Sequence, residues 1–548
     1  MTDKPIRRAE GFAVLAACLA LSLVAAAWSW THSALLNYGD AVAHLHIARR
    51  VFDSHRPGLT QLGSVWLPLP HLLLVPFVAV YSWWANGLAG LIPSALAYLV
   101  SCFGLYRLAR HWLRPLPAAV VLAFFAANPN LLYLQTTAMT EPFFLCELVW
   151  TILFLVEWRM SLDDNPHRSN RLLWPIALLL VAAVFTRYDG WILAFLAWTF
   201  IGVILLRRGL LRSRTFWFAT ALILAAPLAW FAYNAAFFGD WLYFARGPYS
   251  AKAIELRTAS PGSGPPHPGW HNPWVGLLFF VKSSEMDASA LPFGNLLLLV
   301  SLFGALFGWL SARRRAFAWS LLLWFPIPFY AYSIAYGSVP IFLPVWWPHS
   351  WYNTRYGMEM LPAFALGLGF FARFLLAAAR DFKPTLSRLT AIALFALLAL
   401  NAALILRQGP LTYVESTKNI RARRPLLQQI PPVLRALLAM RPRGIILMDT
   451  SAYPQLVTLT GIPLRQTINE SDKQFYLAAL AAPAAHADLV LAFHGDEIDR
   501  AVHAQPQGLT LVRRFTFAGQ PSAYLYVSGD ASGTSPISAS PAPPPSTP

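Results

Sequence analysis

Charge is scarce in this sequence. Asp, Glu, Lys and Arg make up 12% of 548 residues, where an ordinary soluble domain carries about a quarter. With a mean hydropathy of +0.49, a water-soluble protein is excluded. Acidic residues are the scarcer kind: 25 Asp and Glu face 42 Lys and Arg, a formal net charge of +17. In a soluble chain that balance would suggest nucleic acid, so the placement of the cations has to decide the matter. Cysteine is nearly missing. Cys18, Cys102 and Cys146 all fall in apolar runs, which indicates packing rather than a disulfide framework or a metal cluster. There is no internal repeat either, and so none of the paired halves that inverted-repeat transporters show.

Long apolar runs are abundant. Stretches fit to cross a bilayer, about 17 to 25 residues each, recur near 12–30, 88–106, 116–134, 142–158, 172–186, 191–206, 216–237, 291–311, 317–336, 357–379 and 389–406. Every second connection is cationic. The clusters are Lys4, Arg7 and Arg8; Arg107, Arg110 and Arg114; Arg159, Arg168 and Arg171; Arg207, Arg208, Arg212 and Arg214; Arg313, Arg314 and Arg315; and Arg380, Lys383 and Arg388. They mark the cytoplasmic side, so the positive excess is topological and calls for no nucleic acid. Residues 66–85 (WLPLPHLLLVPFVAVYSWWA) are apolar enough to pass for a span. If they crossed, every later cluster would fall outside, and Pro68, Pro70 and Pro76 each lack a backbone donor that lipid cannot replace. This segment is expected to be re-entrant or interfacial. The expectation is an all-α polytopic membrane protein of about eleven spans, multi-pass in the inner (plasma) membrane, N-terminus cytoplasmic, with the first apolar run retained as an anchor rather than cleaved.

From residue 409 the composition becomes that of a soluble domain. RGIILMDT (443–450) and ADLVLAFH (487–494) read as short buried strands, 425–440 and 474–482 as helices, and 515–527 as a closing strand pair. A small extracytoplasmic α/β domain is expected over 409–529, after a membrane domain over 1–408. The Ser/Pro/Ala-rich residues 530–548 read as a disordered tail.

Charges in or near a membrane that do not belong to the cytoplasmic clusters are candidates for function. The first outer loop, NYGDAVAHLHIARRVFDSHRPGLTQLGSVWLPLP (37–70), holds Asp40, His44, His46, Arg49, Arg50, Asp53 and His55. Residues 41–52 read as a helix with Asp40 at its N-cap and His44 one turn on. His44 and His46 would then point about 200 degrees apart and could not chelate one ion together. Asp40 with His44 is the better pair, so a divalent cation stays open while no metal site is assigned. Arg49 and Arg50 read as headgroup contacts. Further outer-side segments with misplaced charges are NPNLLYLQTTAMTEP (128–142), FTRYDGW (185–191), FFGDWLYF (237–244) and YNTRYGMEMLP (352–362), and the Pro/Gly/Ser-rich stretch 246–273 has the composition of a lid or of a plain flexible connection.

An acidic residue after the first span, a helical outer loop, a Pro-rich re-entrant stretch and these later segments, in this order and on one side, resemble the GT-C glycosyltransferases. That superfamily includes the protein O-mannosyltransferases (family 39-like) and the aminoarabinose transferases acting on lipid A. The resemblance covers roughly residues 10–408. It implies transfer of a hexosyl or pentosyl unit from a polyprenyl-phosphate donor to a lipid, glycan or protein acceptor on the outer face, with inversion and without an assigned cofactor. Asp40 would be the general base; flanked by Gly39 and Ala41, it departs from the common pattern of two adjacent acids. Glu141 would be the acidic residue that shapes the site. Arg355, Arg246, Lys252 and Arg187 are candidates to bind the donor phosphate, with His44, Asp189, Tyr356 and Glu359 in support. Two local pairings compete with these roles: Arg187 with Asp189, and Arg355 with Glu359 four residues on. A polysaccharide ligase or polymerase would use a similar donor but normally carries its key outer loop late in the chain. A lipid or solute transporter would need polar mid-span residues and related halves.

Overall fold

A computed structural model describes residues 6–258, 265–291, 293–312 and 314–529 of the chain. The 530–548 tail and part of the 246–273 stretch lie outside the described residues. The chain divides into two compact units, one of residues 1–48 and 62–419, the other of residues 49–61 and 420–548.

The first unit is helical. Nine helices among the described residues are long and apolar enough to cross a membrane: Arg8–Thr31, Leu88–Arg110, Pro166–Thr186, Asp189–Arg207, Arg214–Phe238, Gly294–Ser311, Arg315–Tyr336, Thr354–Phe382 and Pro384–Lys418. The other two expected spans take a different form. The run 116–134 is broken, because Pro129 cannot continue the helix Pro115–Ala126 and the Asn128 side chain caps a new one, Pro129–Leu134, by accepting from the N–H groups of Asn130 and Leu131. The run 142–158 extends into a 24-residue helix, Glu141–Asp164, with Glu147, Glu157 and Arg159 inside it. The proline-rich segment 66–85 forms two short helices, Pro68–Val78 and Tyr81–Asn86. Eleven residues of helix rise about 16 Å against the roughly 30 Å of a hydrocarbon core, so neither piece is long enough to cross.

Close packing in this unit depends on small residues, since apolar burial distinguishes little between protein and lipid. A Cβ on Gly304 would sit 1.9 Å from the carbonyl oxygen of Gly367, and one on Gly367 would sit 2.3 Å from that of Ser301. The helices Gly294–Ser311 and Leu361–Phe382 therefore meet backbone to backbone. The turn before the second of them, Thr354–Met360, lies against Pro273–Ala288 by the same device: a Cβ on Gly357 would fall 2.6 Å from both the Asp287 carboxylate and the Ser284 amide.

The second unit is α/β. Its strands are β1 (Ile446–Met448), β2 (Thr467–Ile468), β3 (Leu489–Phe493), β4 (Leu509–Phe517) and β5 (Gln520–Ser528), in the order β2-β1-β3-β5-β4. β1 is parallel to β2 and β3; β5 is antiparallel to β3 and β4. Leu447, Ile468, Tyr476, Ala479, Val490, Ala492 and Ile498 form the core beneath the sheet. The closing pair begins six residues earlier than the sequence suggests, at Leu509, because Arg513 and Arg514 lie on an open edge where polar side chains are tolerated. Residues 49–61, expected to be a loop of the membrane domain, are stitched into this unit instead. Asp53 accepts from the Arg465 amide at 3.3 Å, His55 Nε2 meets the Thr467 carbonyl at 3.1 Å, and Gln61 donates to Asp472 at 3.3 Å. Arg49 and Arg50 are accordingly buried, Arg49 on Asp53 at 2.7 Å, rather than exposed to headgroups.

Candidate active site

The first unit gathers charges from five separate stretches of chain. Asp40 lies in the first turn of the helix Gly39–Arg50, one residue inside it rather than at its cap. Glu141 opens the helix Glu141–Asp164. Arg187 and Asp189 flank the tight corner between two spans, and Arg355, Tyr356 and Glu359 sit in the 3-10 turn Thr354–Met360. Glu415, which sequence reasoning passed over, lies in the first turns of the helix Leu411–Met440.

Hydrogen bonds through the backbone hold these stretches in place. The side-chain amides of Asn128 and Asn130 both donate to the Asp287 carbonyl at 2.9 Å. Asn130 also accepts from the Thr412 amide at 3.0 Å, and Tyr38 donates to the Thr412 carbonyl at 2.7 Å. Tyr133 reaches both the Ala34 carbonyl and the Ser416 hydroxyl, at 3.0 and 2.8 Å. The start of the helix at Leu411 is thereby tied to the entry of the Asp40 helix. Asn353, in the left-handed region at φ 55°, turns the chain so that its amide and the Thr354 hydroxyl both donate to Glu415.

Arg355 is the centre of the first group. Its guanidinium donates from Nη2 to Asp40 at 2.8 Å, from Nε to Glu141 at 3.1 Å and from Nη1 to Glu415 at 2.6 Å. The Arg355 side chain is 6% exposed and those of Glu141 and Glu415 are 1% and 6% exposed, but that of Asp40 is 46% exposed. One edge of a buried cation is thus reached by a half-exposed carboxylate.

Arg187 is the centre of the second. It donates to Asp189 at 3.0 Å, to Thr140 at 3.1 Å, to Glu141 at 3.3 Å and to Tyr330 at 2.7 Å, with Glu359 at 3.2 Å. Tyr330 in turn donates toward Glu359 and Asp189, at 2.7 and 3.1 Å. Glu141 joins the two groups through a single oxygen, Oε1, while its other oxygen has no hydrogen-bond partner among the described residues. Tyr356 lies between the two cations, its ring 4.9 Å from the Arg187 guanidinium and 5.0 Å from that of Arg355. Both local pairings suggested by spacing are thus tested: Arg187 does bind Asp189, whereas Arg355 takes three distant partners in place of Glu359.

Asp287 is a further acid that spacing did not flag. It is fully buried, and among the described residues neither of its carboxylate oxygens has a hydrogen-bond partner. Burial, with Glu415 and Glu141 close by, pushes its carboxyl well above the usual carboxylate range. Its signal in the sequence is an acid in a predominantly apolar stretch; Glu141 is reached instead through the resemblance of segment 128–142. The remaining candidates lie elsewhere. Arg246 is exposed, 3.7 Å from Asp240, and Lys252 is exposed on the helix Ala251–Thr258; neither joins the cluster. His44 faces inward, its Nδ1 2.8 Å from His71 Nε2 and its ring against Trp66. Burial depresses its basicity to about 4. Among the described residues no three His, Cys, Asp or Glu side chains are placed to hold a metal ion.

No protein-family model matches the chain, and no curated protein matches it. Its structure, however, is similar to a solved one: ArnT from Cupriavidus metallidurans bound to undecaprenyl phosphate, with a TM-score of 0.56 over 94% of this chain and 98% of that one, at 14% identity. The fold is GT-C. A helical membrane unit first and a small α/β unit last is the architecture expected from the sequence, which indicates four of the five strands and not β2. The identity is low enough that the likeness speaks for the fold alone.

Proposed function

We propose that this GT-C chain is a multi-pass inner-membrane glycosyltransferase that moves a sugar from a polyprenyl-phosphate donor to an acceptor hydroxyl on the outer face, with Asp40 as general base. The observation that carries the reading is the meeting of a half-exposed carboxylate, Asp40, with a buried guanidinium, Arg355, at 2.8 Å. The transfer needs those two functions side by side. Asp40 takes the proton of the acceptor hydroxyl, and the oxygen attacks the anomeric carbon. The bond from that carbon to the phosphate oxygen breaks, and the polyprenyl phosphate leaves with its charge met by Arg355. Attack opposite the leaving group inverts the anomeric centre. Arg187 stays at its carboxylates and shapes the floor through Glu141. The scheme calls on no cofactor. The solved structure sharing this fold holds undecaprenyl phosphate, which supports the donor class. In this reading the N-terminus is cytoplasmic and the α/β unit extracytoplasmic.

The test is Asp40→Asn in purified protein supplied with polyprenyl-phosphate sugar donors and a crude lipid and glycan acceptor fraction. Transfer should fall by about 10²- to 10⁴-fold, the range of a general base, with the protein still folded. Unchanged transfer would remove Asp40 from the mechanism.

A further inference from the structure

The three carboxylates on Arg355 are not equivalent, and their difference suggests how the site is switched on. Glu141 and Glu415 are buried and tied to other groups: Glu141 to Arg187, Glu415 to the Asn353 amide and the Thr354 hydroxyl. Neither can leave without stranding charge away from water. Asp40 is half exposed, contacts Arg355 through Oδ2 on Nη2, and can be hydrated when it lets go. An incoming anion can therefore replace Asp40 and neither of the others. As long as Asp40 Oδ2 accepts from Arg355 Nη2, that oxygen is engaged by the guanidinium and is not offered to the acceptor hydroxyl.

We propose that the Asp40–Arg355 pair is an exchangeable lock: the phosphate of the donor takes the place of Asp40 on Arg355 Nη2, and this exchange releases Asp40 to act as the base. The inference rests on the glycosyl-transfer reading and adds to it an order of events. The base becomes competent only when donor phosphate is seated, which suppresses proton transfer in the empty site. Glu141 and Glu415 are positioning residues in this scheme, keeping Nε and Nη1 engaged so that only the Nη2 edge is offered.

The experiment measures binding of undecaprenyl phosphate to the full chain in detergent, with undecaprenol as the phosphate-free control, for the wild type, Asp40→Asn and Glu415→Gln. If the lock exists, Asp40→Asn binds the phosphate about tenfold tighter, the order of one charge-assisted hydrogen bond that no longer has to be displaced, and undecaprenol binding does not change. Glu415→Gln binds it more weakly, since Arg355 is no longer aimed. Plain charge repulsion would instead make both variants tighter, and that result overturns the proposal. If Glu415→Gln does not fold, salt decides: the tightening in Asp40→Asn persists at about 0.5 M NaCl for a direct exchange and disappears for long-range repulsion. Equal or weaker binding by Asp40→Asn refutes the lock and leaves the glycosyl-transfer reading standing. A wild type that binds undecaprenyl phosphate no better than undecaprenol refutes the donor class and the lock together.

Discussion

Two arginines in one cluster, Arg355 buried and Arg187 half-buried, have opposite surroundings. Arg187 is held by Asp189, two residues on, and by Glu141, Glu359, Tyr330 and Thr140, with its carboxylate partners at most 2% exposed. Arg355 has two equally buried carboxylates and one that is 46% exposed. A cation saturated by buried partners stabilises a structure and has no free edge for a ligand. A cation with one hydrated partner keeps an edge that chemistry can use. The two arginines share Glu141 and flank Tyr356, so residue type and neighbourhood do not separate them; the exposure of Asp40 does.

The sharpest way to break this comparison is to remove each cation in turn. Arg187→Met leaves Asp189 and Glu359 as uncompensated buried acids, with Glu141 still on Arg355, and stranding a buried charge costs about 3–5 kcal/mol. Arg355→Met leaves Glu141 on Arg187 and lets Asp40 turn to water, so only Glu415 loses its buried cation, and the Thr354 hydroxyl with the Asn353 amide still solvates it. Thermal unfolding in detergent should therefore show the greater loss for Arg187→Met, and donor binding the greater loss for Arg355→Met among molecules that remain folded. If both variants lose stability and binding alike, the exposed edge has no special meaning.

A second contrast lies along the helix that carries Asp40. One turn after that half-exposed acid, His44 is buried against His71 and Trp66, and burial keeps it neutral down to about pH 4. Its ordinary value is 6.5. Unfolded chains therefore take up a proton that the folded site refuses, and stability declines as pH falls from about 6.5 to about 4. The loss reaches about 3 kcal/mol at the acid end. In His44→Asn that acid slope should flatten between pH 6.5 and 4. An unchanged slope would assign the acid sensitivity to other groups.

Why some of this was legible in the sequence and some not follows from the range of the interactions. Spans are local patterns, so hydropathy recovers nine of the eleven expected ones among the described residues. The outer-side charges Asp40, Arg187, Asp189, Arg355 and Glu359 stand out by their place in the chain and Glu141 by the family resemblance of its segment, and the structure brings all six together. Their pairing is not local. Arg355 meets partners 60, 214 and 315 residues away, so the nearest-neighbour rule that gives Arg187–Asp189 proposes Glu359 for Arg355 and misses. Glu415 was passed over because it follows the last span, where the composition already reads as soluble. Its signal was its rarity: one acid between Arg407 and Lys418 in a chain with few acids. The placement of residues 49–61 in the α/β unit had no local signal, because its hydrogen bonds go to backbone and side chains more than 400 residues on.

The smallest expected effect separates packing from charge in the comparison of the two arginines. The turn that carries Arg355 and Glu359 continues into the helix Leu361–Phe382, whose approach to Gly294–Ser311 is set by Gly304 against the Gly367 carbonyl. A Cβ at 1.9 Å from that oxygen cannot be accommodated by a side-chain rotation, because the obstacle is backbone. The helices have to separate, at a cost typical of overpacking, about 1–3 kcal/mol. Gly304→Ala should therefore lower the melting temperature without changing the charge of the cluster. Its effect on the two sites should differ. Arg187 keeps Asp189, Thr140 and Glu141, none of which lies on the displaced helix, whereas Arg355 itself moves relative to Asp40 and Glu141. Donor binding should weaken more than the loss of folded protein explains. A variant that melts earlier yet binds undecaprenyl phosphate as the wild type does would show that the Arg355 edge tolerates displacement, and that its exposure, rather than its exact placement, is what distinguishes it from Arg187.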